Sequence, residues 1–566
     1  MVDDLCIFNV LILDGSGQKP YAGHVSVRNG RIVELAASGA DRRPAREMRD
    51  ADGLALMPGI VDLHTHYDAQ VTWDRTLSPS PALGVTTAVI GNCGFGIAPC
   101  PQPQRETMLK NLSVVEGMDL PALLQGVDWG FESFGEYMAH LRRIGPMANV
   151  AVFAGHSAIR TAVMGDAASE QVEPSAEQLA SMQQIVAQAM RDGAIGFASS
   201  FSPNHSGYGG RPMPSTIASE RELDALLDSM AQSGKGVFMS ATGSRLTPQK
   251  MEAIVERTGR PAFISTVLAM YNDAKPDLCA TYYQACRDAK SRGHDLNMLT
   301  SCQPLRFDFS LRDPYLLLSH DAFDVIDQKD DASLKAVYED SAFRARFREN
   351  LKSPGQGILF LGDWSKIEVS ICASEALADC QGQTIASLAA SQGKDPLDVF
   401  FDLALSDSLD TRFLARLFQD SDEGVAPLLQ DPAGVITLSD AGAHLLYFCD
   451  AGFGLHFLAH WVRDTGKFTL AEGVRRLTSD PADQFRIPGR GRLQLGAPAD
   501  MLLFDPKTVG LSPPQPVSDL PGGASRMVRE PLGCHGTWVN GVKVHDGQSY
   551  TTLPHGPGAV LDQFVS

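Results

Sequence analysis

The sequence predicts an α/β protein: a closed (β/α)8 (TIM) barrel with a small β-sandwich domain built from both termini and an inserted helical segment. Three observations support this prediction. Apolar strand candidates alternate with helical patterns through the middle of the chain, as in parallel βαβ units. Both ends are instead rich in short strands and turn residues. The gap from Ser301 to Val435 is too long for a single crossover and indicates an insertion.

The middle region has eight strand candidates, which is the number that a closed barrel requires. Helical patterns lie between most of them, for example at 177–191 and 220–233. Barrel enzymes build their sites at the carboxyl ends of the strands, so residues there are the first candidates for function. The strand candidates end near His64, Asn92, Gly155, Ser199, Ala241, Thr266, Ser301 and Asp440.

These patterns divide the chain into three regions. Residues 1–56 together with 488–566 are assigned to the small β domain, and residues 57–487 to the barrel. The insertion covers roughly 302–433 and is expected to lie over the barrel mouth as a lid. Residues 511–527 are rich in Pro, Gly and Ser, which predicts an ordered surface loop.

The composition and net charge limit the partners and the location that we expect for the protein. The 566 residues carry a formal net charge of −19, which argues against partners such as nucleic acids and anionic membrane surfaces. No apolar run has the length of a membrane span. The 10 cysteines are scattered without a C-x-x-C pair, so we expect reduced thiols and a cytoplasmic location. A homo-oligomer is expected only because symmetric assemblies are common among soluble enzymes.

The most informative motif is His64-Thr65-His66, which follows the apolar segment 56–63. Side chains alternate along a strand, so an H-x-H at its end directs both imidazoles to one side. Two converging imidazoles at the mouth of a barrel suit a divalent metal such as zinc. The alternative is that both histidines are ordinary polar loop residues.

Several segments resemble the amidohydrolase superfamily, and in particular its N-acyl-D-amino-acid deacylases (D-aminoacylases). The first barrel strand resembles the superfamily in Pro58-Gly59-Ile60-Val61-Asp62-Leu63-His64-Thr65-His66, and the second resembles the deacylases in Gly84-Val85-Thr86-Thr87-Ala88-Val89-Ile90-Gly91-Asn92-Cys93-Gly94. Similar matches cover the third strand, the last strand and the return to the small domain, at 149–160, 435–440 and 490–500. The resemblance spans nearly the whole chain.

The resemblance implies a metal-dependent hydrolase of amides. His64 and His66 would bind the more buried metal position, and Asp440 would be both a metal ligand and the general base. Cys93 would be the thiolate that in this group bridges two metal positions. The implied cofactor is Zn2+, and the implied substrate is a small-molecule amide.

The chain departs from the deacylase pattern where that group carries histidines, at the ends of the fifth and sixth strands. No histidine occurs between His205 and His294. Three interpretations follow. One zinc ion remains on His64, His66 and Asp440, with Cys93 or water completing the shell and the second metal position lost. Alternatively, other histidines substitute, or the metal is lost altogether. The candidate substitutes each follow a strand end: His156, His205 and His444.

Four residues near the strand ends are candidates for binding the substrate. His156 and His444 follow the third and last strands, and Arg160 and Arg245 carry guanidinium groups that could hold a substrate carboxylate. Each has a structural alternative. His156 precedes a helix start and could satisfy a backbone group, and either arginine could form a surface ion pair.

The sequence thus predicts an amidohydrolase that cleaves the C–N bond of an N-acyl amino acid or a related amide through metal-activated water. Two other classes remain open at this point. One is a non-catalytic protein of the same fold that acts through binding or assembly. The other is a one-metal enzyme of another reaction type, such as a lyase or a decarboxylase.

Overall fold

The computed structural model describes residues 2–265, 270–326, 330–353, 358–445 and 451–565, without the side chain of Tyr315. The predicted barrel is confirmed, because every strand of this part pairs in parallel with the next. The expected strand end at Thr266 lies outside the described residues. The barrel strands are Ile60–Asp62 continued by His64–Thr65, Val85–Ile90, Asn149–Gly155, Gly196–Ser200, Val237–Ala241, Ala262–Ile264, Leu296–Thr300, and Gly434–Ile436 continued by Leu438–Ala441.

The barrel closes where its last strand meets its first. Leu438 lies opposite His64, and Ala441 lies opposite Thr65. The Thr437 hydroxyl reinforces this seam, since it accepts a hydrogen bond from the Leu63 N–H at 2.7 Å and donates to the Val61 carbonyl at 3.1 Å. Closure therefore places residues from both ends of the barrel sequence side by side at the mouth.

Helices separate the barrel strands, and their ends follow from local sequence. Ala176–Asp192 begins at Ser175, which forms a capping box with Gln178, and it ends at Gly193, whose φ of 106° suits glycine. The buried face of this helix carries Leu179, Met182, Val186, Ala189 and Met190. The helices of the barrel region are Arg105–Val115, Leu120–Gly126, Phe134–Ile144, His156–Met164, Ala176–Asp192, Pro214–Ile217, Glu220–Ala231, Pro248–Thr258, Pro276–Ser291, Asp422–Gln430, Phe453–His456, a π-helix Phe457–Asp464, Leu470–Leu477 and Ser479–Gln484.

The small β domain draws strands from both ends of the chain, as predicted. Its strands form one sheet, in which Ala55–Pro58 pairs antiparallel with Met501–Phe504. The segment 536–544 contains a hairpin that turns at Asn540 and Gly541, both with positive φ. The remaining strands of the sheet are Asp3–Ile12, Tyr21–Arg28, Arg31–Ala37, Ala45–Asp50, Cys534–Val539 and Val542–His545.

The insertion is not purely helical. Besides helices, it contains a three-stranded antiparallel sheet of Leu305–Ser310, Ile367–Ile371 and Arg412–Phe418. The first of these strands alternates polar residues with the buried Phe307 and Phe309, a period-two pattern typical of a half-buried strand. The helices of the insertion are Asp331–Glu339, Ser341–Lys352, Ile385–Gln392 and Pro396–Ser406.

The proline-rich segment near the C-terminus, residues 512–530, faces the insertion across a cavity, and we call it the C-terminal wrap. Gln515–Val517 and Arg526–Val528 pair within it as short antiparallel strands. Two further short strands, Gly510–Leu511 and Pro531–Leu532, pair at its base. None of the helices in the described part of the chain combines the length and apolarity needed to cross a lipid bilayer.

A buried ionic network joins the third and fourth barrel strands to the helices outside them. The His156 ring contacts the Ser199 hydroxyl through Nδ1 and Glu222 through Nε2, both at 2.8 Å. Arg160 forms an ion pair with the same carboxylate and donates from Nε to the Ala168 carbonyl at 3.0 Å. His156 and Arg160 are fully buried. The roles predicted for them, substrate binding for both and metal binding for His156, therefore find no support in their position, and the network is structural.

We expect Glu222→Gln to destabilise the protein by about 3–5 kcal/mol, because it leaves the buried Arg160 guanidinium without its counter-charge. Burial alone would raise the pKa of Glu222, but His156 and Arg160 lower it below the ordinary value. The stabilisation is therefore complete above the unfolded pKa of about 4.3 and is lost as the pH falls through the lower folded value. Denaturant unfolding at neutral and acidic pH measures both effects.

The matched control is Glu220→Gln, which removes an exposed ion pair with Lys250 that is worth about 0–1 kcal/mol. Equal losses in the two variants would contradict a structural role for the network.

Candidate metal centre

Three turns at the carboxyl ends of the barrel strands place the predicted site residues. Cys93 follows the second strand with a φ of 54°, and Asp440 ends the last strand with a φ of 55°. Both are left-handed conformations that non-glycine residues adopt rarely and that cluster at functional sites. Gly442 packs on the backbone of His66, where a Cβ would lie 2.8 Å from the His66 carbonyl carbon. A larger residue at 442 would therefore push the last strand away from the histidine pair.

The side chains that the sequence assigned to a metal do converge. The Nε2 atoms of His64 and His66 lie 3.3 Å apart, and the Cys93 sulfur lies 3.6 Å from His64 Nε2. The Oδ1 atom of Asp440 lies 3.4 Å from His64 Nε2 and 3.0 Å from His66 Nε2. Tetrahedral zinc with bonds of about 2.0–2.1 Å to nitrogen and about 2.3 Å to sulfur separates N from N by about 3.4 Å and N from S by about 3.6 Å. His64, His66 and Cys93 thus form a group with the spacing of metal ligands, and Asp440 contacts both histidines beside it.

The opposite ring nitrogen of each histidine is held by a second residue. His66 Nδ1 lies 3.2 Å from Glu116 Oε1, and His64 Nδ1 lies 3.0 Å from the Ser265 hydroxyl. These contacts orient each ring so that Nε2 faces the site, as the outer partners of metal-bound histidines do. Ser265 occupies the end of the sixth strand, where the resemblance implies a histidine. In this chain, the serine at that strand end contacts His64 instead.

Glu116 is the main site residue that the sequence did not indicate. It follows the helix Arg105–Val115, outside the barrel strands, and no local motif marks it. Its backbone carbonyl accepts a hydrogen bond of 2.5 Å from the His444 N–H. Only the packing of this helix over the barrel mouth brings the carboxylate to His66.

The site is acidic. Burial opposes the charge on His66, but Glu116 and Asp440 flank the ring and raise its pKa well above the ordinary value. Burial raises the pKa of Glu116 to about 8 against the opposing charge of His66, whereas the His66 contacts overcome burial and lower the pKa of Asp440. Burial lowers the pKa of His64 to about 3 and raises the pKa of Cys93 to about 11. The carboxylates of Glu116, which is buried, and of Asp440, which is half-buried, border the two imidazoles and favour a bound cation.

Two of the three candidate substitute ligands border this group. His444 Nε2 lies 3.8 Å from Asp440 Oδ2 and 4.0 Å from Glu116 Oε2. His205 Nδ1 contacts the Ser200 hydroxyl at 2.7 Å, and burial together with the charge of His444 lowers the His205 pKa to about 4. His444 and His205 therefore line the site, whereas His156 lies in the structural network.

Arg245 has a different environment from the predicted one. Its guanidinium donates to the carbonyls of Thr216 and Ala218 at 3.1 and 2.7 Å and lies 5.8 Å from the ring centroid of Phe201. These contacts fix the loop after the fourth strand. They give no support to the predicted role of Arg245 in holding a substrate carboxylate.

The chain is similar to known deacylases over most of its length. The D-aminoacylase of Alcaligenes xylosoxydans xylosoxydans is 26% identical over 557 residues, covering 97% of this chain and 96% of that protein. A structure of N-acyl-D-glutamate deacylase from Bordetella bronchiseptica, complexed with zinc and a phosphonate mimic of the tetrahedral intermediate, matches with a TM-score of 0.64, 24% identity and full coverage of both chains.

A structure of D-aminoacylase, reported with one-metal activation and second-metal attenuation of its binuclear center, has a TM-score of 0.65 at 23% identity and covers 99% of this chain and 100% of its own. At this identity these structures support the fold alone. The sequence model of the amidohydrolase family matches residues 47–545, most of the chain. The protein therefore belongs to the amidohydrolase family.

Proposed function

We propose that the protein is a zinc-dependent hydrolase that cleaves the amide C–N bond of an N-acyl amino acid or a related amide. The observation that carries the proposal is the convergence of His64, His66 and Cys93 at the spacing of metal ligands, with Asp440 beside both histidines and both outer imidazole nitrogens held. Relatives whose names describe D-aminoacylase and N-acyl-D-glutamate deacylase support the substrate class.

Zinc bound by these residues would supply Lewis acidity, which lowers the pKa of water and polarises an amide carbonyl. The chain contributes the proton transfers. The Asp440 side chain is 24% exposed, whereas those of His64 and His66 are each 3% exposed, so the carboxylate is the group within reach of a substrate. Asp440 accepts the proton of the attacking water and delivers it to the leaving nitrogen. His444, beside its outer oxygen, is placed to donate a hydrogen bond to the substrate.

One metal ion rather than two fits the donors at the strand ends. The fifth strand ends in Ala241 and Thr242, and Ser265 at the sixth is engaged by His64. Neither position offers an imidazole for a second ion. The one-metal activation reported for D-aminoacylase supports turnover by a single ion in this fold.

The metal proposal predicts about one equivalent of zinc per chain after mild purification, since the described residues contain one such group of converging donors. Elemental analysis of the wild type and of the His64→Asn/His66→Asn double variant measures it, and the variant is expected to lose the ion.

His294→Asn is the matched control, because His294 pairs with Glu252 away from the site, and this variant should keep its zinc. A folded wild type that stays metal-free after zinc supplementation would instead favour a non-catalytic binding protein.

Asp440→Asn should lower kcat by about 10²–10⁴-fold, because an amide cannot accept the proton of the attacking water. The assay follows release of free amino acid from N-acetyl-D- and N-acetyl-L-amino acids at saturating zinc. Asp422→Asn, which alters an exposed contact to His460, serves as the control. Retained turnover in Asp440→Asn would rule out its assignment as the base.

Glu116→Gln should weaken zinc binding by about 10–100-fold, because the amide holds the His66 ring less strongly than a carboxylate does. Competition with a zinc chelator measures the affinity. At saturating zinc, kcat should fall much less than in Asp440→Asn. The matched control is Glu106→Gln, an exposed residue of the preceding helix that pairs with Lys110. Unchanged zinc affinity would show that Glu116 does not position His66.

A further inference from the structure

A second cavity lies outside the metal centre, between the sheet of the insertion and the C-terminal wrap. Its volume is about 570 Å³, which is within the range of sites for small organic ligands. Gln303 and Pro304, which follow the seventh barrel strand, form its inner end. None of the metal-site residues described above lines it.

The wall of this cavity is cationic although the chain as a whole has a net charge of −19. Among the described lining residues, Asp308 is the single acid, and Arg412 forms an ion pair with it. Arg526 pairs with Asp519, which lies outside the lining. The arginines of the wall are Arg306, Arg412, Arg526 and Arg529. Asp308 and Asp519 therefore pair with Arg412 and Arg526.

Arg306 has the least compensated charge. In the antiparallel sheet it lies directly opposite Arg416, and like charges in such a pair destabilise a sheet. Arg416 has an acid partner, Glu368, at 3.5 Å. Arg306 makes no ion pair with any residue in the described ranges. An anion in the cavity would neutralise it.

His456 also lines the cavity and is affected by the same positive charges. Its Nε2 atom is buried and has no hydrogen-bond partner among the described residues. Burial, followed by the charges of His460, Arg529 and Arg306, lowers its pKa to about 3. The ring therefore stays neutral beside the guanidinium groups.

Much of the remaining wall is apolar, beside the polar side chains of Gln303, Ser370, Gln515 and Ser525. Ile371 and Leu414 come from the insertion sheet, and Met527 comes from the wrap with three prolines, Pro513, Pro514 and Pro516. A small inorganic anion would leave these surfaces in contact with water. A ligand with a charged head and an apolar body would use both parts of the wall.

We propose that this cavity is a second ligand site, which binds an organic carboxylate carrying an apolar chain independently of the metal centre. The carboxylate lies at Arg306, whose planar guanidinium matches it with two parallel hydrogen bonds, and the chain lies against Leu414 and the prolines. The wrap is also joined to the metal site, because the Met527 N–H donates to the Leu445 carbonyl at 2.8 Å, one residue after His444.

Calorimetric titration of the zinc-loaded full chain with sodium octanoate tests the proposal. One octanoate should bind per chain, and Arg306→Ala should weaken it by about tenfold or more, the loss expected for a charged hydrogen bond. Arg306→Lys keeps the charge without the paired donors and should weaken binding less than Arg306→Ala. Inorganic phosphate lacks the apolar chain and octanol lacks the charged group, so each should bind more weakly than octanoate.

Three controls separate this site from the alternatives. Arg257→Ala removes a positive charge that pairs with Asp224 and Asp228 on a distant helix, and it should leave octanoate binding unchanged. His64→Asn/His66→Asn should also bind octanoate normally, even if the proposed hydrolase activity proves wrong. Leu414→Trp fills the apolar wall and should block binding while Arg306 is intact.

Octanoate affinity that is equal in wild type, Arg306→Ala and Leu414→Trp would overturn the proposal. Binding that is lost in the histidine double variant and kept in Arg306→Ala would place the acid at the metal centre instead. Thermal unfolding of each variant confirms that binding is compared between folded proteins.

Discussion

The parallel pairing between the first and last barrel strands is the constraint on which the site depends. It sets Leu438 beside His64 and Ala441 beside Thr65, so a carboxylate from late in the chain reaches a histidine pair from its beginning. The Thr437 hydroxyl holds the seam through Leu63 and Val61. Without this closure, no local conformation would bring Asp440 within 3.0 Å of His66.

Charge balance explains why the donors stay together once the barrel has closed. His66 lies between Glu116 and Asp440, so the charge of its protonated ring offsets the charges of these two carboxylates. Metal binding to such a group would replace the proton that the ring shares with its neighbours. The same two carboxylates also hold the His66 ring in place, so they determine both the charge and the geometry of the site.

The insertion and the C-terminal wrap add a second chemical environment to a fold whose mouth is acidic. The metal centre gathers carboxylates, whereas the cavity beside it gathers guanidinium groups such as Arg306. One chain with a negative net charge thus offers both a cation site and a candidate anion site.

The sequence alone determined the barrel and the shared β domain, because these depend on local periodicity. Residue types at the strand ends also predicted a metal site, and the structure brings His64, His66 and Cys93 together with Asp440 beside the two histidines. Only the tertiary structure decided which residues hold the two histidines in place from outside the metal site. Glu116 and Ser265 reach the histidines through packing between distant segments, and His156 and Arg160 turn away into a buried network. Periodicity specifies which face of an element is buried, but not which distant side chain meets it there.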